Sequence, residues 1–526
     1  MDIPWTLIMT VAAITFAYSL RRRRTPPLPP GPRGLPIVGN ILDVPTSNPW
    51  LNFAKLGEIW GEISSLTVLG QTMIIVNSLE IAEDLLDTHG VNFSDRPVMA
   101  MAGELMGFKN TLPLVQYGDR VKEERKLFHQ LFGNSTSIIT QFGPLLRSEV
   151  HKFLQSLLGK PEDPLKLIER MTGAITLRIA YGYNIDPNSE QDVFLEMFNT
   201  SVSNFSRATA PGAFLVDIIP SRESNIVDYG SFQLNTWQVC YWPEWLPGGG
   251  FHTIAKEWSR QLHVTVDTSF EYVKEQIATG NVEPSFAANL LEEGLHEEYL
   301  IKWAAITIQG GGADTSAAQI KAFLLAMSLY PEVQAAAQGE IDAVIGTDSL
   351  PDISDRERLP YVNALCKEVL RFHVSVPTGV PHRAREDLIY DRGEGATPAL
   401  IPKDSLIIAN TWKMAHDPEI YANPMIFDPT RFLETNGKGA ELDPTKILFG
   451  FGRRICPGRL LAETILFLTC SAILSVFNIS KARENGIAVE RPLGQTTGTM
   501  SHPLPFKCVV KPRNDRAAAL IQTSTP

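Results

Sequence analysis

The chain opens on an unbroken apolar block. Residues 3–20, IPWTLIMTVAAITFAYSL, carry no charge. A membrane-spanning helix needs about 20 such residues, with roughly 17 as the lower limit. Arg21 to Arg24 follow the block, and no Lys or Arg precedes it. A cleaved leader carries its positive charge ahead of the apolar run, so the order here predicts a retained anchor. By the positive-inside rule its N-terminus is lumenal and everything after Arg24 is cytosolic. Residues 1–20 are thus the predicted anchor and 21–36 a basic, proline-rich linker. Prolines fix φ and remove donors, so TPPLPPGPRGLPIVGN is a stiff, extended spacer. It reads as a linker and as a fixed stand-off from the membrane, and both can hold. Residues 37–526 remain for one domain.

Within that domain the apolar spacing changes period. Residues 62–77, EISSLTVLGQTMIIVN, are rich in β-branched residues around a Gly-Gln turn and predict a hairpin. Helical spacing predicts helices over 79–90, 119–133, 145–158, 162–183 and 190–206. A long helical pattern covers 296–329. Another helix starts at Pro331, since proline suits a first turn, and a further one covers 359–372. Short strands are expected at 387–391 and 405–410, and a last long helix at 457–477. The fold class is mainly α with a minor β part (α+β), in a single large domain behind the anchor.

Composition narrows the picture. Of 526 residues 44% are apolar and 20% charged, so a large core is expected. A net charge of −11 argues against a nucleic-acid binder. The five cysteines, Cys240, Cys366, Cys456, Cys470 and Cys508, form no CxxC pair. That excludes a zinc site of ordinary spacing; the odd, sparse set argues against a disulfide framework and fits a reducing compartment. Asn134, Asn199 and Asn204 then match the glycosylation pattern by chance.

Cys456 sits in FGFGRRICPGR, residues 449–459. A lone Cys beside Gly and Pro is ordinarily a buried structural residue. Here it precedes a predicted helix N-terminus, where free N–H groups and the dipole favour negative charge. Arg453 and Arg454 add positive charge. These features predict a thiol with a lowered pKa. Gly450, Gly452 and Gly458 let the backbone approach something large and flat. One thiolate with no second protein ligand nearby fits an iron held by a macrocycle.

Phe449, Gly452, Arg454, Cys456 and Gly458 match FxxGxRxCxG, the haem-ligand signature of the cytochrome P-450 family, which this chain resembles. Further motifs occur in family order. Glu368-Val-Leu-Arg371 resembles the family's E-x-x-R helix pair, and FDPTRF at 427–432 supplies Arg431. The implied role of Glu368, Arg371 and Arg431 is structural: holding the Cys loop and haem pocket in shape. GGADTS at 311–316 lies inside the long helix, where each glycine costs about 1 kcal/mol relative to Ala. It resembles the oxygen-activation motif, as Gly311, Gly312, Ala313, Asp314 and Thr315. The resemblance implies that Gly311 and Gly312 let haem and O2 approach the backbone. It implies that Thr315 hydrogen-bonds the dioxygen and Asp314 relays protons.

Arg454, Arg125 and His382 are the implied anchors of the haem propionates. Here the chain departs from the family's WxxxR pattern: Val121 occupies the Trp position, which removes one implied contact. A second departure is the stretch 223–240, either a loop over the substrate entrance or a retained intron. Implied substrate-contacting regions are 97–117, about 205–251, the helix face before Gly312, Ser375–Val380 and Thr496–Met500. They carry Phe205, Phe214, Phe251, Leu105 and Met106, an apolar lining suited to a hydrophobic ligand.

The implied cofactor is haem b, its iron held by Cys456. No flavin or ferredoxin segment is present, so electrons must come from outside. The implied partners are an NADPH-dependent reductase, with cytochrome b5 as a second donor, O2, a hydrophobic small molecule and the endoplasmic reticulum membrane, crossed once. Lys122, Lys126, Arg453 and Arg459 are candidates to meet an acidic reductase surface. The expected reaction inserts one oxygen atom of O2 into a C–H or C=C bond of a hydrophobic metabolite, a terpenoid or similar. Two other readings stay open: a haem-thiolate isomerase or dehydratase needing no reductase, and a non-catalytic haem-binding membrane protein.

Overall fold

The computed structural model describes residues 26–523, apart from 187–188, 190, 210–248, 392, 394–396, 435–436, 438, 485–486 and 489–493. The predicted anchor, Arg21 to Arg24, the stretch 223–240, Phe214 and Cys240 lie outside the described residues.

The hairpin forms where β-branched alternation predicts it. Ile63–Val68 pairs antiparallel with Gln71–Val76. Its turn is centred on Leu69 and Gly70, one residue earlier than a Gly-Gln turn, and both have positive φ (49° and 89°). That backbone matches the twist of a two-residue hairpin. Gln71–Val76 then pairs in parallel with Leu406–Ala409, which also holds the two-residue strand His382–Arg383. This small sheet brings residues 63–76 and 382–409 together.

Helices make up the rest. Asp119–Phe132, Pro164–Tyr181, Val193–Ala208, Pro331–Val344 and Pro360–Phe372 lie close to their predicted ranges. The segment 79–90 is helical only to Thr88, and its second half, Asp84–Thr88, is wound as π-helix. Ser135–Gly159 starts ten residues before the predicted 145. Pro144 does not break it, and Asn134 caps it by accepting from Ser137 N at 2.7 Å. The 29-residue helix Phe251–Thr279 was not expected. Its buried residues Ala255, Trp258, Leu262, Val266, Phe270 and Val273 recur at helical spacing, so the signal is in the sequence.

The helix Glu298–Leu329 forms the axis of the domain and is buried along much of its length. It packs against Pro164–Tyr181 on one side and against Arg459–Val476. Arg459–Val476 is the one described helix long and apolar enough to cross a membrane, yet 72% of it is buried in the protein. It is a core helix. The main apolar core gathers around these elements, and a second cluster lies between the sheet and the Cys456 loop.

Candidate functional site

The loop ahead of Cys456 is closed on itself. Cys456 N donates to Phe449 O at 2.7 Å. Gly450 and Gly452 have φ of 77° and 53°, where side chains are strained. A Cβ on Gly452 would also strike the Leu86 carbonyl. Glycine is required there by the backbone and by the approach of the π-wound segment. Phe449 packs partly buried against the core.

The thiol sits deep in the protein, yet its surface is open on one side. Burial pushes its pKa up, outweighing the Gly458 N–H and the positive charges of Arg125 and Arg459. This corrects the expectation of a lowered pKa. Arg453 and Arg454 are not aimed at the thiol. Arg453 is exposed and donates to Tyr117 Oη at 2.9 Å. Arg454 is buried, donating to Ser94 O at 2.7 Å, Leu112 O at 3.2 Å and Val115 O at 2.6 Å. A thiol buried this way is inert until a metal ion takes the proton's place.

Around this loop the structure gathers an excess of buried positive charge. Arg125 crosses from the helix Asp119–Phe132 to donate to Ile455 O at 2.7 Å. Arg96, which the motifs did not single out, donates to Pro381 O at 2.9 Å and to Val380 O at 2.5 Å. Its Nε is buried with no hydrogen-bond partner. His382 sits beside it, with Nδ1 2.6 Å from Phe93 O. A carbonyl can only accept, so Nδ1 carries the hydrogen. Burial, with Arg454 and Arg125 nearby, depresses the Arg96 pKa. Burial depresses His382 too, helped by Arg96 and Arg454, and brings Arg454 down to about 10.

Nearby acids do not cancel this charge. Asp95 is engaged by Arg385 at 3.4 Å and Arg383 at 3.6 Å, and Glu124 by Arg120 at 2.9 Å. Buried like charges without a counter-ion are costly, so the cluster is suited to an anionic group. Val121 is fully buried in the main core.

GGADTS lies within the unbroken helix Glu298–Leu329. A Cβ on Gly311 would meet no heavy atom within 4 Å, and the same holds for Gly458. Gly312 differs: a Cβ there would come within 2.9 Å of Thr176. Gly312 thus serves helix packing, and Gly311 borders open space. Thr315 Oγ1 donates to Gly311 O at 2.7 Å. Asp314 pairs with His502, 3.0 Å from Nε2 to Oδ1.

The Glu368 set is largely interior. Arg371 grips Glu368 with two bonds of 2.7 Å, and both residues are wholly buried. Arg371 also donates to Ala415 O and Pro424 O. Arg431 approaches Glu368 at 3.2 Å and binds Glu441 at 2.7 Å. Burial pushes the Glu368 pKa up against the pull of Arg371 and Arg431. Glu441 is the member that motif reading missed.

Among the apolar candidates, Met106 and Phe251 are core residues and Leu105 is partly buried. The Phe205 ring lies 4.8 Å from that of Phe108, tilted by 51°. Lys122 and Lys126 are exposed on Asp119–Phe132, and Lys122 pairs with Asp119 at 2.8 Å. Arg459 lies 3.8 Å from Glu463.

The residues present fit a haem. Gly311 and Gly458 leave room for a flat group, the buried arginines suit carboxylates, and a single deep thiol suits its iron. Among the described residues no three His, Cys, Asp or Glu side chains gather round one point.

A helix-rich domain with small sheets and a glycine-shaped cysteine loop defines a haem-thiolate monooxygenase. The chain belongs to the cytochrome P-450 family, whose model matches residues 29–510. It is 42% identical over 516 residues to cytochrome P-450 monooxygenase 208 of Postia placenta, covering 98% of this chain and 96% of the relative. It is 44% identical over 509 residues to cytochrome P-450 monooxygenase claR of Ampulloclitocybe clavipes, covering 96% and 90%. Against cytochrome P-450 monooxygenase ppsD of Aspergillus oryzae the identity is 37% over 504 residues, covering 94% and 90%. The family's cofactor is haem held by a cysteine thiolate, and its chemistry calls for O2, a substrate and a redox partner.

Proposed function

We propose that the protein hydroxylates or epoxidises a hydrophobic small molecule, a terpenoid or similar product of fungal secondary metabolism. One atom of O2 enters the product and the other leaves as water, with electrons from NADPH through a separate reductase and, as a second donor, cytochrome b5. The observation that carries this reading is the deep, one-sidedly open Cys456 thiol beside an uncompensated cluster of buried cations.

Haem supplies the oxygen-activating chemistry when bound. Cys456 would ligate its iron, with Phe449, Gly452 and Gly458 shaping the loop. Arg96, Arg125, Arg454 and His382 would hold its propionates. His382 has only Nε2 left to offer, and that nitrogen donates only if the ring is charged. An anion beside it favours that state. Gly311 would keep the long helix slim beside the reacting centre, while Gly312 lets that helix pack against Thr176. Thr315 would hold a proton at Oγ1, now resting on the Gly311 carbonyl, and Asp314 would supply it from the adjacent position. Glu368, Arg371 and Arg431 would brace the site without touching substrate.

We place residues 1–20 as a single anchor in the endoplasmic reticulum membrane, 21–36 as the linker and 37–526 as the cytosolic catalytic domain. The uncharged length of residues 3–20 and the arginines after it support this topology. Lys122, Lys126, Arg453 and Arg459 are the basic residues that would meet an acidic reductase surface.

Co-expression with a reductase in a host supplied with candidate metabolites tests the reaction, read as a gain of oxygen by mass. Reduced, CO-treated protein should show the absorption of a thiolate haem, and Cys456→Ala should abolish it. Wild-type protein without that absorption, or turnover that ignores NADPH, would overturn the reading.

A further inference from the structure

The Asp314 carboxylate is held by one residue from far along the chain. His502 Nε2 lies 3.0 Å from Oδ1 and 3.1 Å from Oδ2. A carboxylate this close makes Nε2 the hydrogen-bearing nitrogen if the ring is neutral. The backbone around His502 is fixed on both sides by Thr496. His502 N donates to Thr496 Oγ1 at 2.9 Å, and its carbonyl accepts from Thr496 N at 2.8 Å.

The neighbouring Ser501 is wholly buried and tied in further. Its hydroxyl donates to Thr496 O and its N–H to Ser375 O, each at 2.8 Å. His373 Nε2 donates to the Ser501 carbonyl at 3.1 Å. Gln319, on the same helix as Asp314, donates to His373 O at 2.8 Å and to Ser375 Oγ at 2.6 Å. The circuit closes from Asp314 through the 496–502 loop and back to Gln319. The backbone that carries the imidazole is therefore placed by the fold.

The other nitrogen, Nδ1, is buried with no hydrogen-bond partner. An orphaned buried nitrogen is where a water or a substrate hydroxyl finds a partner. Among the described residues, His373 is a second titratable group that interacts with the ring. Its pKa is lowered to about 4, by burial first and by His502 last. It stays neutral and offers no competing charge.

We propose that His502 is the positioning residue of the oxygen-activating pair, orienting the Asp314 carboxylate and restoring its proton after each delivery. This rests on the monooxygenase reading and adds a proton path to it. In the restoring step the Nε2–H bond breaks as an Asp314 O–H bond forms. A solvent proton bonds to Nδ1 at the same time, so one proton enters for each one passed on. No electrons are moved, and exchange with water returns the ring to its Nε2–H form.

The test is nitrogen-15 NMR of histidine-labelled holoenzyme in the diamagnetic ferrous–CO state. The His502 signals are assigned by their loss in His502→Gln, or in His502→Asn if the first variant does not load haem. The expected ring carries its hydrogen on Nε2, with the low-field shift of a strong hydrogen bond. In Asp314→Ala that shift disappears and the ring becomes a mixture of tautomers. With an oxidised substrate in hand, His502→Gln should lower kcat about 10- to 100-fold at unchanged KM, near the lower range of general acid–base effects. Hydrogen peroxide formed per NADPH should rise accordingly. A His502 signal indifferent to Asp314→Ala, or wild-type kcat in His502→Gln, would overturn the proposal. Absence of the thiolate absorption in the ferrous–CO sample would instead overturn the monooxygenase reading itself.

Discussion

Two clusters of buried charge in this domain are built to opposite balances. Glu368, Arg371, Arg431 and Glu441 pair acid with base in equal number, and spare donors go to backbone carbonyls. Around Arg96, Arg125, Arg454 and His382 the nearby acids are engaged by other arginines. The first cluster is balanced in charge within the protein. The second is balanced only when an anion from outside joins it. A neutral buried network braces a fold, while a buried surplus of one sign marks where a ligand of the other sign belongs.

The largest effect should come from breaking the balanced cluster. Glu368→Ala leaves Arg371 buried and uncompensated, a loss of about 3–5 kcal/mol. Thermal unfolding and soluble yield should show it before any haem is added. If Glu368→Ala unfolds like wild type, the bracing role is wrong.

The second cluster should respond the other way. Arg96→Ala should cost the haem-free protein less than Glu368→Ala does, since the lost bonds to Val380 O and Pro381 O are partly offset by relieved repulsion from Arg454 and Arg125. Haem retention should fall by about 1–3 kcal/mol per lost charged bond, read as faster haem transfer to an acceptor protein. Equal losses of folding stability and haem retention would erase the contrast.

Acid should separate haem-free from haem-loaded protein. His416 lies beside Arg371, and burial lowers its pKa to about 3; His373 is lowered to about 4. A base depressed in the fold binds fewer protons there than when unfolded. Stability from these groups is thus complete above about pH 6.5 and falls as pH drops toward 4, by about 1.4 kcal/mol per unit for each. His382 adds to this slope in the haem-free chain. Bound haem carboxylates should reduce its share, so unfolding midpoints should fall less steeply with acid in holoenzyme.

The smallest effect tests the glycines. Gly311→Ala should stabilise the haem-free protein by up to about 1 kcal/mol, because helix propensity improves and no atom is in the way. Gly312→Ala should not, because its methyl meets Thr176 at 2.9 Å. Equal midpoints for the two variants would show that Gly311 does not border open space.

Much of this was legible without coordinates, for local reasons. The hairpin at 63–76, the helix over 298–329 and the bond pair within Glu368–Arg371 depend on residues a few positions apart. Local spacing also held the signal for Phe251–Thr279, although that helix went unassigned. The helix expected from 145 starts at Ser135 and runs through Pro144, because a proline can sit inside a helix whose other turns are well bonded and packed.

Sequence alone determined the family, the cysteine loop with its required glycines and the helix that carries Asp314 and Thr315. These follow from short motifs, where backbone geometry and side-chain reach are local. Only the tertiary structure decided that the Cys456 pKa is raised, because burial is a property of everything packed around a residue. Only it brought Arg96 to His382 across the small sheet, and His502 to Asp314 across 188 residues. Such pairings leave no periodic trace in the chain, because the elements between them set the distance.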